Sequence, residues 1–388
     1  MTEQQGAGRR VVSPAQTTAS VRTRGLERPP RSRYAVIGSG WRSTVYLRLA
    51  HLLPEVFEAT GVLTRRSEST ERIDRDFGVR THGTVEALLA ADRPDFVVLS
   101  VPWPVTPELT RTLVAAGVPV LAETPPAPDL DGMRSLWADV GASGLVQVAE
   151  QYAFMPLHAA RLALTREGLI GTPGSVQISS THLYHVVAMM RAFLDVGREP
   201  TAVASRTFTA PLVDPITPQG WTHDLEQKRA RTILSTIDFG GDRMGLYDFT
   251  DGQWWNPVRP DHLTVRGATG EIHDETVVRM LDATTPVTSR IERAATGIGM
   301  NYEGLDLTHL SFEGRPVFRN RFAGAALSDD DIGTAELLAR TGAWARQEGP
   351  APYPLADGMH DHHVGIAIEQ AAETGEVVRT GEEPWTAG

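Results

Sequence analysis

The residues most suited to chemistry begin with the run Gly38-Ser39-Gly40-Trp41-Arg42-Ser43, which separates a short apolar run from an amphipathic stretch. Gly38 can make a tight turn, and Gly40 lets the backbone approach a pyrophosphate at the free N–H groups of the following helix. Ser43 stands where a third glycine would favour close helix–strand packing. An ordinary strand-to-helix turn that binds no nucleotide is the competing reading. Near the end of the next apolar run lie Thr64-Arg65-Arg66-Ser67, where an NAD-preferring site places an acid for the ribose hydroxyls. Two guanidiniums suit a 2′-phosphate better, which favours NADP over NAD, although a solvated basic corner would look the same.

Other clusters are less specific. Lys228 is the only lysine among 37 basic residues, so any lysine chemistry must use it. It closes a polar stretch from Gly220, read as a loop between two strands that is either solvated or able to present His223, Asp224 or Lys228 to a cleft. The chain has no cysteine, which removes disulfides, thiolate nucleophiles and thiolate metal centres. His360-Asp361-His362-His363 resembles a ligand set, but neighbours on a helix diverge, and Asp357 or Asp361 as a cap or first-turn charge is simpler. No metal is expected. Trp254-Trp255-Asn256-Pro257 offers a stacking surface for a sugar or aromatic ligand, or equally a core or subunit contact. Asn301-Tyr302-Glu303 is a further polar–aromatic group that could face a cleft.

The elements that must position these residues follow from periodicity. Residues 1–33 carry seven arginines and little apolar patterning and read as a disordered tail; Arg9-Arg10 has no apolar segment after it and does not read as an export signal. From Tyr34 to about residue 150, buried strand runs alternate with helices, which implies a parallel, doubly wound α/β sheet. Beyond it come a helix at 157–167, a strand at 175–180, a helix at 186–194, and strands at 202–209, 232–239, 244–249, 263–266 and 307–312. Helices at about 330–347 and 357–374 close the chain. That order predicts an α+β domain over 151–388 with a largely antiparallel open sheet. A formal charge of −11 disfavours nucleic acid, and no apolar run is long enough for a membrane span, so a cytoplasmic protein acting on a small molecule is expected.

Several motifs, in this order, resemble the glucose–fructose oxidoreductase / inositol dehydrogenase (Gfo/Idh/MocA) family between about residues 34 and 375. They are Val101-Pro102-Trp103-Pro104 after the fourth core strand, Ala122-Glu123-Thr124-Pro125 after the next, and Glu150-Gln151-Tyr152-Ala153-Phe154-Met155-Pro156 leading into a helix. The resemblance implies a nicotinamide cofactor along Gly38–Ser43 and Pro102-Trp103, with Glu123-Thr124-Pro125 near its reactive end. It also implies a substrate entering beside the second domain and a homo-oligomer, dimer or tetramer, formed through the outer face of the open sheet.

The departures from the family pattern bear on mechanism. Thr124 replaces the lysine of the family's Glu-Lys-Pro, which helps bind or polarise the reacting oxygen. Thr181 stands in place of an aspartate, whereas His185, four residues on, matches the family's histidine or tyrosine. His185 is therefore the expected general acid–base, with Tyr184 and His182 in reserve, and Tyr152, Thr181, Trp254 and Trp255 are expected to face the substrate. The same polar residues could instead cap a helix or line an inert cavity. The expected activity is NAD(P)-dependent hydride transfer to or from a small polar metabolite at a C=O or C=N bond. A redox-inactive binding or regulatory subunit, or a non-redox enzyme that retains its cofactor, are the alternatives.

Overall fold

The computed structural model describes residues 29–217, 220–297, 299 and 305–387. The tail before residue 29 and the Asn301-Tyr302-Glu303 group lie outside them. The first strand starts at Ser32, two residues before the apolar run that marks it, because Ser32 pairs with Phe57 of the neighbouring strand.

The N-terminal part alternates β1 (Ser32–Ile37), α1 (Trp41–Leu52), β2 (Phe57–Leu63), α2 (Ser67–Phe77), β3 (Thr81–His82), α3 (Val85–Asp92), β4 (Phe96–Leu99), α4 (Thr106–Ala115), β5 (Val120–Ala122), α5 (Leu130–Val140) and β6 (Val146–Val148). Its strands pair in parallel in the order β3-β2-β1-β4-β5-β6. This is the doubly wound Rossmann order, with a crevice outside the strand C-termini where β1 and β4 part company. Tyr34–Ile37 and Phe96–Leu99 are buried, as strands covered on both faces must be.

The rest of the chain contributes α6 (Pro156–Arg166), β7 (Pro173–Ser179), α7 (Leu183–Leu194), β8 (Ala202–Val213), β9 (Ile216–Thr217), β10 (Gly220–Trp221), β11 (Gln227–Asp238), β12 (Met244–Thr250), β13 (His262–Gly267), β14 (Gly270–His273), β15 (Thr276–Asp282), β16 (Thr285–Thr296), β17 (Asp306–Phe312), β18 (Arg315–Arg319), α8 (Asp329–Ala345), α9 (Leu355–Thr374) and β19 (Val378–Arg379). Eleven of these strands form one sheet, antiparallel except where β7 runs parallel to β12. The fold class is therefore an α/β Rossmann sheet followed by a mostly antiparallel one, as the sequence predicts.

Helices α7 and α9 cover one face of the large sheet, and Val186, Val187, Met190 and Phe193 bury there. Phe208, Leu234, Val278 and Met280 remain exposed.

The sequence reading misses β14, β15, β16 and β18. Apart from Ile272, Val277 and Ile291, which are buried, their residues are intermediate or exposed, so hydrophobic periodicity has little to report. The supposed loop from Gly220 to Lys228 also needs correction. Gly220-Trp221 pairs as β10, and Gln227 and Lys228 already belong to β11, opposite Val213 and Leu212.

The late helices do not stay with the late sheet. Helix α8 starts on a capping box, in which Ser328 accepts from Asp331 N, and packs on β1, β4 and α1. Arg48 of α1 pairs with Asp331, fixing that contact. On the opposite face of the Rossmann sheet, Met359 of α9 and Trp385 join Leu113, Met133 and Leu136 in one apolar cluster. Glu383 holds Arg134 of α5 with two hydrogen bonds of 2.9 and 2.7 Å.

Candidate active site

The loop after β1 is shaped for close approach. Gly38 has φ of +124°, and a Cβ there would overlap the Ser100 carbonyl beyond β4. Ser43, in the third-glycine position, is small enough to bury against this turn, its hydroxyl 3.5 Å from the Ser100 carbonyl oxygen. Gly40 is different. It is the N-cap of α1, carries no side-chain cap, and a Cβ on it would meet no atom within 4 Å. Open space therefore lies where an unsatisfied helix N-terminus faces the crevice, and a pyrophosphate fits that cradle.

At the adenosine end, Ser39 is held from two sides. Thr64 donates to its hydroxyl at 3.1 Å, and Arg72 of α2 donates to its carbonyl at 2.7 Å. Arg65 and Arg66 are exposed and pair with no carboxylate among the described residues. Arg72 is a contributor that the sequence reading did not single out, being a whole helical turn beyond the arginine pair.

Two expected cofactor residues turn elsewhere. The Arg42 guanidinium is buried against Glu123 at 2.9 Å, reaches Asp330 of α8 at 3.3 Å, and lies over the rings of Trp41 and Tyr46. Glu123 also accepts from the Tyr46 phenol. Their side chains thus satisfy each other, leaving only the Arg42 backbone facing the phosphate turn. Trp41, 75% exposed, and Trp103, half-exposed, flank the mouth of the crevice. Pro102 begins the turn that leads into α4, its carbonyl accepting from Val105 N. Thr124 precedes Pro125 through a cis peptide bond.

Beyond Thr124 the first turn of α7 brings the second domain to the site. His185 Nδ1 lies 2.5 Å from Glu150 Oε2, and that carboxyl is 3% exposed. Glu150 stands just past β6, and its other oxygen accepts from Tyr152 N at 3.2 Å. A carboxylate on Nδ1 fixes the tautomer, leaving Nε2 with no protein partner among the described residues. The Tyr152 ring packs 4.7 Å from the His185 ring, and Thr181 donates to the Tyr152 phenol at 2.8 Å. Tyr184 packs 4.5 Å from His185. Burial pushes its phenol up to about 12, so it stays protonated.

His182 is the N-cap of α7, with its ring 5.3 Å from His185 and 4.9 Å from Trp254. Burial, reinforced by His185, pushes it down to about 3. It is a neutral wall of the site. Trp255 packs on Trp254 at 5.5 Å and is more exposed.

The structure thus gathers Thr124, Tyr152, Thr181, His182, Tyr184, His185 and Trp254. It also adds Glu150, which the sequence marks only as the first residue of the motif leading into α6 and not as a site residue.

Apart from His362, whose ring lies 5.7 Å from that of Tyr184, the histidine cluster on α9 belongs elsewhere. Asp357 lies in the first turn as expected, but Asp361 does not. It is buried and pairs with Arg191 at 2.7 Å and with the Tyr353 phenol. Burial holds His360 and His362 neutral, down to about 3 and about 4. Among the described residues no three His, Cys, Asp or Glu are grouped to hold a metal, and no helix is long and apolar enough to cross a membrane.

Residues 32–150 match the family model GFO_IDH_MocA, described as an oxidoreductase family with an NAD-binding Rossmann fold. No curated protein matches the chain. Among solved structures, a myo-inositol dehydrogenase from Corynebacterium glutamicum is 16% identical with a TM-score of 0.62, covering 91% of this chain and 99% of its own. Levoglucosan dehydrogenase in complex with NADH and levoglucosan is 16% identical with a TM-score of 0.64, covering 91% and 100%. An oxidoreductase from Agrobacterium radiobacter, in complex with NAD+, L-tartaric acid and magnesium, is 16% identical with a TM-score of 0.62, covering 90% and 98%. At such identity these likenesses speak to the fold, which runs nearly the whole length of each chain. Residues 32–150 thus match the NAD-binding Rossmann domain of the Gfo/Idh/MocA oxidoreductase family, and the rest of the chain shares the fold of these dehydrogenases.

Proposed function

We propose that the protein transfers a hydride to or from a small polar metabolite at a C=O or C=N bond, with His185 as general acid–base. The observation that carries this reading is the buried Glu150–His185 pair. A nicotinamide, when bound, supplies or accepts the hydride. Everything else falls to the chain. Gly40 and the N-terminus of α1 hold the pyrophosphate, and Pro102 and Trp103 border the cofactor. Glu150 keeps His185 in one tautomer, so that Nε2 can exchange a proton with the reacting heteroatom. Tyr152, Thr181, His182 and Trp254 shape a largely aromatic, water-poor wall.

Arg65 and Arg66, with Arg72 behind them, favour NADP through its 2′-phosphate. The exposed apolar residues Phe208, Leu234, Val278 and Met280 support a homo-oligomer built on the open sheet face, which sedimentation would test.

The absence of an ammonium at Thr124 keeps a second reading in play, a nucleotide-binding subunit without turnover. Purifying the protein with its nucleotide and following nicotinamide absorbance with myo-inositol, levoglucosan and a cyclic imine separates the two. Bound nicotinamide with no absorbance change across alcohols, ketones and imines favours the binding subunit.

A further inference from the structure

Between β12 and β13 the chain is inside out. From Gln253 to Val258 the two amides are buried, each residue 4% exposed, whereas Trp254, Trp255, Pro257 and Val258 face solvent. Both amides are spent inward. Gln253 Nε2 donates to the Ser179 carbonyl and hydroxyl at 3.0 Å each, and its Oε1 accepts from Thr250 N at 3.1 Å. Asn256 Nδ2 donates to the Val213 carbonyl at 2.8 Å, and its Oδ1 accepts from Val258 N at 3.0 Å. The two indoles, 39% and 56% exposed, are thus held outward by a turn pinned on both sides. Apolar surface kept out of the core in this way gains only when something covers it.

The topology says where that surface lies. Strands β7 and β12 run parallel, so His182 beyond one and Trp254 beyond the other leave the sheet at the same end. Trp254 stands edge-on to His182 at 4.9 Å, and His182 stands edge-on to His185 at 5.3 Å. Trp255 extends the series outward at 5.5 Å. Aromatic surface therefore runs without a break from the candidate acid–base to solvent. Its exposed part suits a small occupant, since the two indoles leave roughly 200 Å² uncovered, well below the roughly 800 Å² that each partner buries in a stable dimer. Its chemistry is equally narrow. With both amides turned inward, the side chains from Gln253 to Val258 offer ring faces and indole N–H groups, but no amide for the hydroxyls of a sugar.

We propose that the substrate carries, beyond its reacting bond, an aromatic ring that packs on Trp254 and Trp255. Resting on the hydride-transfer reading above, this makes the two indoles specificity-determining residues. They touch the far end of the substrate and none of the reacting atoms, so they act on KM rather than kcat.

The test compares cyclohexanone, 4-phenylcyclohexanone and 4-(morpholin-4-yl)cyclohexanone. Calorimetry on the NADP+-loaded protein reads binding alone, because a ketone cannot be reduced there. The phenyl ketone should bind about 10–50-fold more tightly than cyclohexanone, as expected for one ring buried between apolar faces. The morpholine ketone, equally long but polar, should stay within about threefold of cyclohexanone. Trp255→Ala removes an exposed side chain that the fold does not need. It should weaken the phenyl ketone about 5–10-fold and leave cyclohexanone within about twofold, and Trp255→Phe should keep most of the affinity. With NADPH, Trp255→Ala should raise KM for the phenyl ketone by a similar factor at unchanged kcat.

A phenyl ketone that binds within threefold of cyclohexanone, or a morpholine ketone that gains as much, would overturn the proposal. So would an equal loss for all three ketones in Trp255→Ala. Conversion of an oligomer to monomers by the same substitution, seen in sedimentation, would make the turn a subunit contact and also overturn it. A protein that binds NADP+ yet binds none of the ketones, and reduces none with NADPH, would bring down the underlying hydride-transfer reading instead.

Discussion

Lowering the pH below about 6.5 should destabilise this protein steeply, because burial keeps five of its histidines neutral. His158, His182 and His360 are pushed down to about 3, His362 to about 4, and His363 in the same direction. In the unfolded chain each returns to 6.5. Between those values the unfolded state binds a proton at each ring that the folded state refuses, so stability falls as pH falls.

Three carboxyls work the other way. Burial pushes Asp261 and Asp361 up to about 6, and Asp248 upward, so between 3.8 and their folded values they hold protons that unfolding releases. About two to three protons remain uncompensated near pH 5, and each is worth about 1.4 kcal/mol per pH unit. The loss is therefore roughly 3–4 kcal/mol per pH unit, set against a total stability on the order of 5–15 kcal/mol. Urea unfolding at stepped pH measures the slope directly. Replacing His360, whose two ring nitrogens are buried without partners among the described residues, by leucine should reduce it by about one proton. A stability that is flat or rises between about pH 6.5 and 5 would refute the reasoning.

Other outcomes can be stated more briefly. Gly40→Val should abolish NADPH binding in calorimetry while moving stability by only about 0.5 kcal/mol, since its Cβ enters open space. Gly38→Ala, forced against the Ser100 carbonyl at positive φ, should cost at least about 1–2 kcal/mol and show first as a lowered melting temperature. NADPH should bind more tightly than NADH. That preference should shrink at high salt and largely vanish when Arg65 and Arg66 are replaced by serine; an NADH preference in the unmodified protein would reject the assignment. His185→Ala should lower turnover by about 10²–10⁴-fold with little effect on cofactor affinity. Glu150→Gln should cost about 10–100-fold through the lost charged hydrogen bond, read in the same assay.

The Rossmann half was legible because its strands are buried on both faces and its helices are short and punctuated by turns. Apolar runs such as Tyr34–Ile37 and Phe96–Leu99 leave few alternatives. The second half was legible only where one face is apolar, as in α7 and β13. The long β16 carries exposed polar residues along most of its length, so nothing in its pattern distinguishes strand from loop. At the candidate site, the expectation for His185 came from its match to the family pattern and that for the phosphate turn from its glycines. Glu150 escaped because its significance is a distance to a residue 35 positions away. The inward turn of Arg42 escaped for the same reason: its partners, Glu123 and Asp330, lie far along the chain.

The burial of Trp385 beside Trp137 and His363 has a consequence for how the protein is made. The first sheet is complete when Val148 has been synthesised, but one of its faces is not closed until a tryptophan 237 residues later arrives. At about 5–20 residues per second, that interval is roughly 12–50 s on the ribosome. Throughout it, Met133 and Leu136 lack part of their apolar cover, and β1 waits for α8 on the other side. The nascent chain must therefore carry a formed but half-clothed nucleotide fold, which makes this interval its most vulnerable to aggregation. Residues 32–150 expressed alone would stay in that condition permanently.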